Sequence, residues 1–465
     1  MAPLRRVLVA NRGEIAVRIV RACADEGIES VAIVSEADRD SMAAILADSA
    51  VCIGPGPSTE SYLDIARVIN AALLTGCDGL HPGYGFLAER ADLAQACVDN
   101  GIAFVGPSAE AIRRGGDKVE ARALARALGI PTGAGSDALA DVEEAERVAE
   151  SVGFPVLLKA AAGGGGRGMV LVEQAADLRE RFGSASHEAQ QAFGDGRLYV
   201  ERFVSRARHV EVQILADSHG NVVHLGERDC TAQRRYQKVV EEAPASFVPA
   251  EVRARLHAAA LDLARGLDYV GAATMEFIVD AETGEFAFLE VNTRVQVEHP
   301  VTEMLTGVDI VREQLRIAGG APLSFTQDDV RLSGHAVECR LNAEDPAAGF
   351  LPSPGTVTRW IPPLGGGIRV DSHVFGGYLI PPYYDSMIAK VISHGDDRNA
   401  ALGRMDRALR HLVVDGVRTN REFLRDLIAD PAFVAGEHHT RWVEQAFLPS
   451  WSFDGGPESK NEETS

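Results

Sequence analysis

The chain is predicted to be an α/β protein that turns α+β in parts, and two patterns carry that prediction. In the first hundred residues, short apolar runs alternate with stretches of helical periodicity, the signature of a parallel, doubly wound sheet. Between His209 and Thr293, longer alternating runs separated by turn residues imply hairpins, with one helix over 251–268. At 465 residues the length suggests about three domains.

The elements follow in order. Residues 7–10 read as a strand. Ile15, Ile19, Ala22 and Cys23 share one helical face, and Gly27 closes that helix. A strand at 31–34, helices at 64–74 and 92–98, and a strand at 103–106 complete the first unit. A second unit begins near Lys118, and 131–135 (Pro-Thr-Gly-Ala-Gly) reads as a hinge. Beyond it come a helix at 142–151, a strand at 156–159, a glycine loop, a strand at 169–172 and another helix. After the hairpins one helix is expected from His299 to Gly319. The expected division is 1–117, 118–330 with a moving part at about 135–204, 331–448, and a polar, disordered tail at 449–465.

Composition excludes several classes. A net charge of −21 argues against nucleic acid or an anionic membrane as partner. No run approaches the ~18 apolar residues of a membrane span, and the run after Arg5 and Arg6 is too short for a signal peptide. The six cysteines form no Cys-x-x-Cys pair and no zinc spacing with histidine, which suits reduced thiols and a cytoplasmic location.

The string Gly163-Gly-Gly-Gly-Arg-Gly168 matches Gly-x-Gly-x-x-Gly, a weak signal by itself and compatible with a plain flexible linker. A dinucleotide fingerprint needs a helix next, and here Met169-Val-Leu-Val172 follows, a β-type run. The loop therefore joins two strands, where glycine backbone can lie close on phosphates. No P-loop, His-Arg-Asp or Asp-Phe-Gly string occurs, which excludes P-loop and kinase chemistry. Lys159 ends the strand just before the glycines.

The runs 274–280 and 286–292 flank the turn 281–285. If Asp280 pairs with Phe286, Glu276 lies opposite Glu290, an unfavourable like-charge pair among apolar neighbours. A bound cation resolves the conflict, and Asn292 on the same face completes a donor set suited to Mg²⁺ or Mn²⁺. A solvated strand face with a different register is the alternative. The stripe continues on period two as Glu290, Asn292, Arg294, Gln296 and Glu298. Such alternation also fits a solvent-facing edge, but its mix of cation, amide and carboxylate suits a small oxyanion.

Longer strings resemble a known family. Asp229-Cys-Thr-Ala-Gln-Arg-Arg-Tyr-Gln-Lys-Val-Val-Glu-Glu-Ala-Pro244 and Glu290-Val-Asn-Thr-Arg-Val-Gln-Val-Glu-His-Pro-Val-Thr-Glu303 closely resemble biotin carboxylase. So do Ala10-Asn-Arg-Gly-Glu-Ile15, His81-Pro-Gly-Tyr-Gly-Phe86, Ala336-Val-Glu-Cys-Arg340 and Pro382-Tyr-Tyr-Asp-Ser-Met387, and the likeness runs from about residue 5 to 445. The resemblance implies an ATP-grasp fold with a Rossmann-like N-terminal domain and a C-terminal biotin carboxylase domain.

It also implies roles. Lys118 and Lys159 hold phosphates, Gly165 and Gly166 belong to the closing lid, and Glu201, Arg202, Phe203 and Val204 receive adenine. His209, Gln233 and Tyr236 contact the nucleotide. Glu276, Glu290 and Asn292 hold Mg²⁺ or Mn²⁺, in agreement with the hairpin argument. Lys238, Arg294, Gln296, Val297 and Glu298 form a bicarbonate pocket, and Arg340 and Tyr84 lie near the biotin ring. Three positions depart from the family pattern: Tyr236 stands where histidine is familiar, Ala160-Ala-Ala162 precedes the glycines, and Gly366 replaces an aromatic at the usual dimer contact. Arg18 and Arg21, at other dimer positions, are retained, so a homodimer is expected.

The implied reaction is carboxylation of biotin at the expense of ATP, by way of carboxyphosphate. Arg294 offers a planar fork to a planar oxyanion, Glu298 is placed as general base, and Arg340 would stabilise the biotin anion. No methionine adjoins a lysine, so the Met-Lys-Met biotinylation signature is missing. Biotin is therefore expected as a substrate on a separate biotin carboxyl carrier protein, in a complex with carboxyltransferase subunits. Another carboxyphosphate-forming ATP-grasp ligase is the nearest rival. A non-catalytic nucleotide-binding regulator is the other, and it would have lost Glu298, Lys238 or the acidic pair.

Overall fold

Strands β1 (Arg6–Val9), β2 (Glu29–Ser35), β3 (Ser49–Gly54), β4 (Gly79–His81) and β5 (Ala103–Phe104) form a parallel sheet in the order β3-β2-β1-β4-β5. The computed structural model to which they belong describes residues 3–136, 138–139, 141–161 and 168–452. The helix Gly13–Asp25 buries Ile15, Ile19, Ala22 and Cys23 as its periodicity requires. Gly27, at φ 69°, turns the chain so that Ile28 N–H reaches the Cys23 carbonyl at 2.8 Å. Sequence reasoning missed β3, a partly exposed edge, and β4, whose three residues are too few for a pattern. The strand expected at 103–106 shrinks to Ala103–Phe104. Strand order reverses between β1 and β4, so the loops after them open onto a common crevice.

A small antiparallel sheet follows, made of β6 (Val156–Ala160), β7 (Met169–Val172) and β8 (Leu198–Arg202) in the order β7-β6-β8. The helices Val142–Val152 and Ala175–Phe193 cover it, and Ala145, Leu158, Val172, Leu178 and Val200 give it a core of its own.

The main sheet contains β9 (Ala207–Ala216), β10 (Val222–Arg234), β11 (Gln237–Ala243), β12 (Gly271–Asp280), β13 (Phe286–Asn292) and β14 (His335–Asn342), with the strands Ile368–Ser372 and Met387–Gly395. Its order is β13-β12-β9-β10-β11-β14, then Met387–Gly395, then Ile368–Ser372. The helix Ala250–Gly266 packs Leu256, Ala260 and Leu263 against Val210, Val212 and Phe277 on one face. The opposite face of the same strands carries His209, Glu211, Gln213 and Glu276, all buried. The long strands from 331 onward join the main sheet, because β14 pairs with β11 and extends the one already there, and three two-stranded ladders stand beside them.

Two expectations need correction around residue 299. The helix expected from His299 to Gly319 is two helices, His299–Thr306 and Ile310–Ala318. Gly307 at φ 73° ends the first, and Asp309 caps the second by accepting from Arg312 N–H at 2.9 Å. The period-two stripe is strand only as far as Asn292, and beyond it the backbone is irregular up to His299. No helix among the described residues is long and apolar enough to cross a membrane. The tail expected at 449–465 lies outside the described residues from 453 on.

Candidate active site

One cavity of about 1220 Å³ lies between the parallel sheet, the small sheet and the polar face of the main sheet. Every described residue that the sequence singled out for the site lines it. Gly165 and Gly166 lie outside the described residues.

At one end stand two lysines. Lys159, near the end of β6, and Arg122 both contact the buried Glu201. Lys118 opens the helix Lys118–Ala127, which Asp117 caps, and its Nζ lies 2.9 Å from Glu290 Oε2. The stretch from Glu201 to Val204 lines the wall, held by Arg202 N–H on the Ala134 carbonyl (2.8 Å) and Phe203 N–H on the Pro155 carbonyl (3.1 Å). Gln233 Nε2 lies 2.8 Å from His209 Nδ1, and His209 Nε2 lies 2.8 Å from Glu276 Oε2. Burial pulls His209 down, but Glu276 prevails and raises it above the usual histidine range. Tyr236, at φ 63° in the turn between β10 and β11, reaches the cavity with 42% of its surface exposed.

The acidic pair forms as expected, by an unexpected route. Val279 rather than Asp280 pairs with Phe286, so the register at the turn differs by one from the expected one. An irregularity between Phe277↔Phe288 and Glu276↔Glu290 inserts Leu289 and restores the expected pairing of the two glutamates. Strict alternation from Phe286 and Phe288, both in the core, would have sent Glu290 into that core. The bulge turns it instead to the cavity beside Glu276. Each carboxylate has a lysine, Lys238 for Glu276 at 3.0 Å and Lys118 for Glu290 at 2.9 Å. Asn292 Nδ2 donates to Glu276 Oε1 (2.9 Å), and its Oδ1 accepts from Arg294 (3.1 Å). Two opposed carboxylates and an amide are a donor set that fits a hard divalent cation.

Lys238 is the hub of the other end. Its Nζ donates to Glu211 (2.6 Å), Glu276 (3.0 Å) and Glu298 (2.5 Å). Glu298 also accepts from Arg340 at 2.9 Å. Burial works to raise the Glu298 carboxyl, yet Lys238, then Arg340 and Arg228, hold it well below the usual carboxylate range. The fork of Arg294 is aimed by three neighbours: Glu89 at 3.1 Å, the Gln296 amide oxygen at 2.9 Å and Asn292. Val297 contributes its backbone, whose carbonyl accepts from Lys390 at 2.8 Å. Tyr84 follows β4 and donates its hydroxyl to Glu14, while Asn11 Nδ2 grips the Pro82 and Tyr84 carbonyls at 2.7 Å each.

Several members were not foreseen. Glu211 and the fully buried Arg228, 2.5 Å apart, back Lys238 from beneath. The signal for Glu211 lies in β9, where His209, Glu211 and Gln213 alternate with Val210, Val212 and Ile214 as a polar inner face, while Arg228 comes from β10. Glu89 and Lys390 come from distant segments, and nothing local marks them, whereas Glu14 sits in the string Ala10-Asn-Arg-Gly-Glu-Ile15 without a role read for it.

Comparisons with known proteins show the family. Residues 3–112 match the biotin carboxylase N-terminal domain, 117–326 the ATP binding domain of the carbamoyl-phosphate synthase L chain, and 338–445 the biotin carboxylase C-terminal domain. Biotin carboxylase of Pseudomonas aeruginosa is 52% identical over 444 residues, covering 95% of this chain and 98% of that protein. The crystal structure of a biotin carboxylase–beta-gamma-ATP complex from Campylobacter jejuni superposes with a TM-score of 0.92 at 44% identity, covering 95% of this chain and 98% of that one. The biotin carboxylase domain dimer of 2-oxoglutarate carboxylase from Hydrogenobacter thermophilus, solved with MgADP, ADP and bicarbonate, gives 0.93 at 45% identity, covering 97% of this chain and all (100%) of that one. Matched along nearly its whole length to these domains and proteins, the chain belongs to the biotin carboxylase family of ATP-grasp ligases.

Proposed function

We infer that the chain carboxylates biotin on a separate carrier protein, using bicarbonate and ATP, as one half-reaction of an acyl-CoA or keto-acid carboxylase. The observation that carries this reading is Lys238, which ties the acidic pair at the phosphate end to Glu298 at the oxyanion end. Such a link suits a reaction in which bicarbonate attacks the γ-phosphorus of ATP.

Each residue then has a task. Lys118 and Lys159 hold the phosphates, with Glu201 to Val204, His209, Gln233 and Tyr236 around the base and sugar. Mg²⁺ or Mn²⁺ on Glu276, Glu290 and Asn292 would neutralise phosphate oxygens. Arg294, with Gln296 and Val297 beside it, orients bicarbonate. Glu298 takes its proton, and attack gives carboxyphosphate and ADP. Carboxyphosphate breaks to CO₂ and phosphate, the phosphate removes the ureido proton of biotin, and Arg340 stabilises the anion that captures CO₂. Tyr84 borders that ring.

The remaining proposals concern scale. The moving part is about 135–204, because its small sheet has a separate core. The domain division is 1–117, 118–330 and 331–448. The protein works as a homodimer with carrier and carboxyltransferase partners in the cytoplasm; reduced thiols suit that location, and the six cysteines are free.

The test is ATP hydrolysis by the pure protein with bicarbonate, free biotin and divalent cation omitted in turn. Each omission should reduce turnover to a small residual. Hydrolysis indifferent to biotin would overturn the assignment.

A further inference from the structure

Arg340 is shared between two carboxylates. Its Nε donates to Glu241 Oε1 at 2.6 Å and its NH2 lies 2.5 Å from the same oxygen. The NH2 also donates to Glu298 Oε2 at 2.9 Å. The NH1 nitrogen makes no hydrogen bond among the described residues, and Arg340 lines the cavity. Glu241 is on β11, fully buried, and directly opposite Glu338 of β14, which is also fully buried. Both oxygens of Glu338, and Oε2 of Glu241, lack any hydrogen-bond partner.

Two carboxyls opposed in a sealed sheet are costly, and an apolar pair would serve packing better. Such a pair cannot easily ionise twice. Burial pushes the Glu338 carboxyl well above the usual range, which leaves it neutral, and pushes Glu241 to about 7 against the pull of Arg340. Glu241 is thus the member of the pair that meets a cation.

We propose that Glu241 is a positioning residue for the carboxylation step: by holding Nε and NH2 of Arg340, it keeps that guanidinium from collapsing as a two-pronged pair onto Glu298. A guanidinium locked on Glu298 would cover the base and withdraw the cation from the biotin anion. The proposal rests on the reaction inferred above.

The experiment is steady-state kinetics of Glu241→Gln and Glu241→Asp, with ATP and free biotin varied separately. Glu241→Gln should lower kcat/KM for biotin by about tenfold or more, the scale of a lost charged hydrogen bond, while KM for ATP stays within about twofold. Glu241→Asp, which keeps the charge, should recover part of the loss. In an Arg340→Gln background, Glu241→Gln should add nothing further. Biotin constants at the wild-type level in Glu241→Gln, or an equal rise in both KM values, overturn the proposal. If Glu241→Gln does not fold, Glu241→Met, which keeps the bulk and removes the charge, decides, and wild-type biotin constants there overturn it. Failure of the underlying reaction would show differently, as wild-type hydrolysis indifferent to biotin.

Discussion

At Glu298, the base of the proposed reaction, the fold holds a carboxylate in check. The carboxylate is fully buried and gripped by Lys238 at 2.5 Å and Arg340 at 2.9 Å, which keeps it ionised but weakly basic. Anionic substrates that drew Lys238 toward themselves would loosen that grip and restore basicity where the proton is taken. Glu298→Gln should therefore bind ATP normally and lose about 10²-fold or more in bicarbonate-dependent turnover. Equal loss of ATP affinity, read by nucleotide titration, would count against the base role. Glu338 presents the opposite case, a carboxyl that burial keeps protonated. Its raised folded-state value means that stability is full below the unfolded value near ~4.3 and is lost as pH rises toward the folded value. Glu338→Gln should abolish that loss. Denaturant melts from pH 5 to 8 should show the variant gaining on wild type by up to about 1.4 kcal/mol per pH unit. A gap that does not grow with pH would contradict a protonated Glu338.

Among the elements, the hairpin of β12 and β13 shows how one residue sets chemistry. Leu289 is the extra residue of the bulge, and it moves Glu290 from the Phe286–Phe288 face to the cavity face. Deleting Leu289 should drive a carboxylate into an apolar core, costing about 3–5 kcal/mol and ending turnover. Leu289→Ala, which keeps the residue count, should retain metal-dependent turnover; if thermal melts and activity of the deletion matched those of Leu289→Ala, the bulge would not orient Glu290. Here the limits of sequence reading are plain. The opposition of Glu276 and Glu290 was legible, because two acids among phenylalanines call for a cation. The bulge was not, because a one-residue slip at the turn and an insertion three pairs later cancel. Likewise the break at Gly307 was hidden in a run that continues in helical period on both sides.

In the whole molecule, the main sheet runs without interruption from β13 to Ile368–Ser372, across the expected boundary at 330/331. Arg340 reaches Glu298 only because β14 adds to β11. A fragment ending at residue 330 would leave β11 as a bare edge and uncover Val239 and Val240, which lie buried beneath residues of the last segment. Expressed alone, residues 1–330 should aggregate, whereas 1–452 should melt as a soluble protein. A soluble 1–330 with a cooperative melt would show that the last segment is an independent unit.

What the residues declared without coordinates was local or repeated: helix faces at 3.6 spacing, the acid pair across a turn, a lysine ahead of glycines, and long family strings. These depend on spacing along the chain, which a sequence displays directly. Convergence did not show. Arg228 beneath Lys238, Glu89 aiming Arg294 over a separation of 205 positions (294 − 89), and Glu241 beside Arg340 are meetings of strands and loops far apart in order. Their partners are chosen by sheet order and pairing register, which the burial of every strand decides together, so no single stretch of the chain encodes them.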